Sequence, residues 1–273
     1  MTGSDRVATK RDVVVVLGVV LFAFANLAAV GTGGREHAKR MVCLSNLRQL
    51  SLAWLIYALD NEGRIVNGAT GFSDQNMVWG DHTGELAWVH EYSADWGLTI
   101  QGIQKGALWP YLQDARIYRC PTGPAGQALT YSIAFPMNGV LHLGEFETSP
   151  IDKSWRGKFV KTTAEIETPS LRLVFVDERA VTPDAYAVHY NRQAWWDLPP
   201  VQHSDGGTLS FADGHVEHWR WKSPETVEIG RSGSPGVGAH TCHSCDACDD
   251  LHRLQIAVWG KLGYEPSCGE LTQ

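Results

Sequence analysis

The run DVVVVLGVVLFAFANLAAV (residues 12–30) carries no charge after Asp12. Past GTGG it is followed by REHAKRMVCLSNLRQLSLAWLIYALDNEG (residues 35–63). As a helix rising about 1.5 Å per residue, residues 13–30 would reach about 27 Å, just enough for a bilayer core. A soluble core helix rarely stays uncharged for so long, so the run is read as a retained membrane anchor. A secretory signal peptide is the rival reading, because Arg6, Lys10 and Arg11 precede the run and AAVGTGG offers small residues for cleavage. Arg35, Lys39 and Arg40 flank the other end, so loop charge does not choose the orientation.

Residues 35–61 form a second helical pattern. On a wheel, Cys43, Leu44, Leu47, Leu50, Trp54, Leu55 and Ala58 share one arc, with Ser45, Asn46, Gln49 and Asp60 beside or opposite it. This predicts a stalk helix facing a core. Met41, Leu52, Ile56 and Leu59 extend the apolar surface further. They either widen the buried face or offer a second contact to a neighbouring subunit. Gly31, Gly33 and Gly34 each disfavour helix by about 1 kcal/mol relative to alanine, which predicts a bend or melted turn between anchor and stalk. Asn61-Glu62-Gly63 reads as the helix stop.

Downstream, residues 64–107 are rich in Gly, Asp, His and Trp and read as a loop-rich insertion, with MVWG and LAWVHEY as short strands. Residues 107–112 predict a short helix or turn, and residues 114–119 an extended segment ending at Cys120. TPSLRLVFVDE (residues 168–178) is a strand by its β-branched and aromatic content. TLSFADGHVEHWRW (residues 208–221) alternates on both sides of Asp213-Gly214, the strongest short-range hairpin signal. The fold class is therefore α+β, with a long N-terminal helix covered by an antiparallel sheet and large loops. The chain divides into residues 1–34 (leader and anchor), 35–61 (stalk), 62–229 (head) and 230–273 (a cysteine-rich extension, with a short final helix near residues 250–260).

The anchor, the stalk and the spacing of His203, nine residues, then Asp213-Gly214 together resemble bacterial type IV pilin-like proteins, the pseudopilins. The match is to a subfamily with a C-terminal "processing-associated" His-x9-Asp-Gly motif. GIQKGALWPYLQDARIYRCP, YSIAFPMNG and LVFVDE are similar too. The resemblance covers roughly residues 10–260. It implies a pilin-like fold and a structural or assembly role, without catalysis, in a type II secretion or type IV pilus-like apparatus. It also implies pilin-like partner subunits along the N-terminal helix, an inner-membrane single pass, a cytoplasmic N-terminus and a periplasmic head. The cleavage motif is degenerate. KRDVVVVL stands where a small residue and Phe-Thr-x-x-Glu would be, so prepilin processing is not carried over.

Other chemistry is thin. The net charge of -7 argues against nucleic acid as a partner. There is no phosphate-binding glycine loop, nucleophile elbow or H-E-x-x-H. No cofactor is expected, but the ligand types present could hold zinc or calcium. Cys242-x2-Cys245-x2-Cys248, with Cys268 twenty residues on, could bind zinc or form two disulfides. His203, Asp205 and Asp177 could hold a divalent ion. Alternatively, His203 hydrogen-bonds the hairpin turn or a strand-end carboxylate, and His203, Asp213 and Gly214 together hold the hairpin end. A metal-dependent hydrolase is the enzyme this cluster would allow. Cys43 and Cys120 could form a disulfide pinning stalk to head, or stay inert buried thiols. Trp195 and Trp196 could be core residues, or a stacking platform for glycan or peptide. The platform would make the protein a membrane-tethered binding module.

Overall fold

The computed structural model describes residues 9–70, 85–139, 158–179, 181, 185–232 and 240–267, with backbone alone for 23–30 and 32. The chain forms two compact units, Met1–Lys39 and Arg40–Gln273. The first helix, α1 (Lys10–Asp60), begins in the first unit and ends in the second. Then come β1 (Asn67–Thr70), β2 (Ala87–Val89), α2 (Trp96–Lys105), α3 (Trp109–Leu112), β3 (Tyr131–Ile133), β4 (Leu173–Asp177), β5 (Ala194–Trp195), β6 (Gly206–Phe211) and β7 (Val216–Arg220). The last elements are α4 (Pro224–Arg231), β8 (His240–Thr241) and α5 (Cys245–Trp259).

In the first unit, Val13–Val16, Leu17, Val19–Val20, Leu21 and Phe22 are exposed. Among the described residues, the stretch of α1 long and apolar enough to cross a membrane is Gly33–Asp60, which overlaps the expected stalk and not the expected anchor, and 44% of its most apolar window is buried within the protein, as in a core helix. Gly31, Gly33 and Gly34 lie in helical backbone, so the expected melted turn is not found. Their propensity cost is spread over a 51-residue helix whose neighbouring turns favour it.

In the second unit, the predicted arc of α1 faces the core. Cys43, Leu47, Leu50, Ala53, Trp54 and Ala58 are at most 2% exposed. Fully burying a leucine-sized side chain stabilises by about 1.5–3 kcal/mol. The helix stops where expected: Glu62 and Gly63 turn left-handed, and Gly63 N–H donates to the Ala58 carbonyl at 2.7 Å. Against this helix stands a four-stranded antiparallel sheet in the order β3-β4-β6-β7. Two small pairings accompany it, parallel β1-β2 and antiparallel β5-β8.

β6 lies along α1. Thr208, in β6, meets Cys43, and a Cβ on Gly214, just past its end, would lie 3.2 Å from Leu55 Cδ1. The helical steps from Cys43 to Leu55 rise about 18 Å, while β6 adds three extended steps, about 10 Å, from Thr208 to Phe211 before the chain turns at residues 212–214.

The hairpin β6-β7 is present with a different turn. Gly214 N–H donates to the Phe211 carbonyl at 2.8 Å, so Ala212 and Asp213 are the central residues, and only Gly214 takes positive φ, at 88°. This is a three-residue loop with a glycine bulge in place of a two-residue Asp-Gly turn. The strand expected over 168–178 is shorter, because residues 169–171 form a 3-10 turn before β4. The segment expected to be extended over 114–119 contains another such turn at 115–118, capped by Asp114. LAWVHEY does hold β2, and MVWG lies outside the described residues. The helix α2 stands where only loop is expected. The C-terminal segment is no appendage. In α5, Leu251, Leu254, Ala257, Val258 and Trp259 enter the common hydrophobic cluster.

Candidate functional site

Four elements of the second unit send one side chain each to a single buried point. Cys43 comes from the core face of α1. Cys120 follows the 3-10 turn at 115–118. Asp177 is the last residue of β4, paired with Tyr131 of β3. His203 lies in the loop leading into β6, its backbone N–H donating to the Gly206 carbonyl at 3.0 Å. All four are 0% exposed. One ligand-type atom from each (two sulfurs, a carboxylate oxygen and an imidazole nitrogen) lies within 4.8 Å of every other.

The internal distances are short. Cys120 Sγ is 3.1 Å from His203 Nε2, His203 Nε2 is 3.6 Å from Asp177 Oδ2, and Cys43 Sγ is 3.7 Å from Asp177 Oδ2. Three hydroxyls surround the group. Tyr131 and Thr208 approach Cys43 Sγ at 3.1 and 2.9 Å, and Thr122 approaches Cys120 Sγ at 3.0 Å. The Thr208 hydroxyl also reaches Asp177 Oδ2 at 3.4 Å, and Thr122 lies 3.2 Å from His203 Nε2. Asp177 Oδ1 is buried with no hydrogen-bond partner among the described residues.

Burial penalises charge here. It pushes the Asp177 carboxyl far above the usual carboxylate range, and the neighbouring Cys120 sulfur pushes in the same direction. Burial likewise raises the Cys43 thiol. Cys120 shifts the other way, held low by a hydrogen bond from Cys43 and, after the opposing effect of burial, by His203. Burial thus disfavours charge on Asp177 and Cys43, while Cys120 is shifted the opposite way. A dication would reverse that preference by stabilising every anionic ligand at once.

The structure unites His203 with Asp177, a strand-end carboxylate, and not with the hairpin turn. His203 and Asp213 lie at opposite ends of β6. Asp213 is 39% exposed and bonds its neighbour, with Oδ1 accepting from the His215 backbone N–H at 3.1 Å and 2.6 Å from His215 Nδ1. Asp205 is also apart from the cluster, since it pairs with Arg231 near the protein surface. Its backbone turns left-handed there, with φ of 62°. Cys43 and Cys120 are free thiols and not a disulfide.

The C-terminal cysteines do not make the four-cysteine zinc site. Cys242 and Cys248 form a disulfide across six residues, and Cys245 is exposed on α5. Cys268 lies outside the described residues. Trp195 is 0% exposed and meets Trp221 edge-on at 5.9 Å, so it offers no face to a glycan or peptide. Trp196 is half-buried and packs on His189 at 5.0 Å.

As metal ligands, Cys43 and Cys120 give no sign in the sequence beyond their residue type, since they stand 77 residues apart and far from His203. Comparison with protein-family models, with curated proteins and with solved structures gives no match.

Proposed function

We propose that the chain is a membrane-tethered, non-catalytic assembly subunit of a pilin-like apparatus of the type II secretion or type IV pilus kind. It would sit in the inner membrane with its N-terminus cytoplasmic and its head periplasmic. The observation that carries this reading is the second apolar face of α1. Met41, Leu52, Ile56 and Leu59 are 51%, 46%, 45% and 80% exposed. At about 100° per residue they fall within roughly 60° of arc, on the side opposite Cys43, Leu47, Leu50, Trp54 and Ala58. A helix that has already buried one face in its own head needs no second apolar stripe, unless another helix covers it. The exposed run from Val13 to Phe22 suits lipid, or the same helix of a neighbouring subunit. The resemblance of the stalk and of His203-x9-Asp213-Gly214 to pseudopilins points to the same kind of partner.

The test is self-association of the full chain in detergent or membranes. Replacing Leu52, Ile56 and Leu59 with serine should abolish cross-linked oligomers while leaving the head's circular dichroism and urea midpoint unchanged. A wild-type chain that stays monomeric at every concentration in bilayers would overturn the proposal. So would a triple variant that assembles as well as wild type.

A further inference from the structure

We infer that Cys43, Cys120, Asp177 and His203 bind one zinc ion in a closed, structural site. Tetrahedral zinc, with bonds of about 2.3 Å to sulfur and about 2.0–2.1 Å to nitrogen or oxygen, sets its ligand atoms about 3.3–3.8 Å apart. The separations of 3.1, 3.6 and 3.7 Å already approach that figure. The donor set selects the metal: two thiolates, one imidazole and one carboxylate suit zinc, whereas calcium takes six or more oxygens.

The surroundings fit a bound cation better than an empty pocket. Asp177 is wholly buried, and its Oδ1 has no hydrogen-bond partner among the described residues. A carboxylate in such a place is costly unless a positive charge meets it. A Cys43–Cys120 disulfide would leave that carboxylate only His203, at 3.6 Å. The hydroxyls of Tyr131, Thr208 and Thr122 stand where donors to ligand sulfur are needed. On binding, zinc replaces whatever protons the two thiols and the Asp177 carboxyl still hold, and these leave to solvent, while His203 coordinates as neutral imidazole through Nε2. With four protein ligands and no exposure, no position is left for water or substrate. The ion would act as a staple joining α1, the loop at Cys120, β4 and the entry to β6.

The test uses the full chain, purified in detergent under reducing conditions and reconstituted with zinc sulfate. Elemental analysis should find one zinc per chain. Cobalt substitution should give thiolate-to-metal charge transfer and tetrahedral visible bands. Stripping with a chelator should lower the thermal midpoint by about 10 °C or more. Cys120→Ser and His203→Gln should each lower zinc affinity by about 100-fold or more, while Cys245→Ser should not change it. Because a ligand variant could fail to fold, Asp177→Cys serves as a second probe. It keeps a four-ligand set and should retain the metal with a stronger charge-transfer band.

Wild-type protein that takes up no zinc while folded would overturn the inference. So would a Cys43–Cys120 disulfide in protein purified without reductant and unaltered by zinc during folding. Zinc that survives Cys120→Ser and His203→Gln, but not Cys245→Ser, would overturn it as well. None of these outcomes bears on self-association through Leu52, Ile56 and Leu59, so this inference and the proposed function can fail separately.

Discussion

The molecule has two cysteine regions built on opposite principles. At the C-terminus, Cys242 and Cys248 are six residues apart and joined by a disulfide within one short stretch. In the core, Cys43 and Cys120 come from distant parts of the chain and meet Asp177 and His203 only once the helix and sheet are packed. The C-terminal run has the spacing of a metal motif and is a cross-link. The core pair has no motif in the sequence and has the geometry of a metal site. Close spacing marks a site only when one local loop carries all the ligands. A site assembled by tertiary packing leaves no spacing to read.

This contrast predicts unequal dependence on the fold. The largest effect should come from Leu47→Ala, one turn from Cys43 on the same buried face. It should cost about 2–5 kcal/mol of stability. Alkylation of Cys43 and Cys120 should then begin at lower urea than in wild type. If the two buried thiols label in native wild-type protein as fast as in fully unfolded chain, the distinction fails. Next, replacing Cys242 and Cys248 together with serine should cost about 2 kcal/mol, the loop-entropy value for so short a ring. A urea melt measures it, and Cys43 should stay protected in native buffer. Loss of that protection would mean the two regions are one cooperative structure. The smallest effect is expected at Gly214→Ala, where φ of 88° and the nearby Leu55 side chain oppose a Cβ. It should cost about 1–2 kcal/mol in the same urea melt. Metal content should stay the same, because the turn lies at the far end of β6 from His203.

Legibility follows the range of the interactions. The buried arc of α1, its stop at residues 61–63 and the β6-β7 hairpin rest on local periodicity and turn chemistry, and all are readable. The turn's detail is not, because Asp-Gly serves two loop types and the register of Ser210 with Val216 decides between them. The α2 helix escapes a sequence reading because its ten residues begin with Trp96-Gly97, a weak start rescued by the Asp95 cap and by close packing against β2. Trp195 cannot be sorted into platform or core, since two residues of β5 carry no period. In the candidate site, Asp177 and His203 are marked by type alone, and Asp205 joins them only because it lies two residues from His203. The cysteines that complete the cluster read as a disulfide pair, because only a fold can place two acid-base groups between them.

The run of residues from His203 to Gly214 also acts as a gauge. One end is fixed at Cys43 and the other at Leu55, on a helix whose length cannot stretch. A one-residue insertion within β6 would turn Thr208 away from Cys43. A two-residue insertion would restore the facing but overshoot Leu55 by about 7 Å. The residues between His203 and Gly214 thus link two contacts made on one helix, at Cys43 and at Leu55. The head should accept length changes in its loops far more readily than between those two marks.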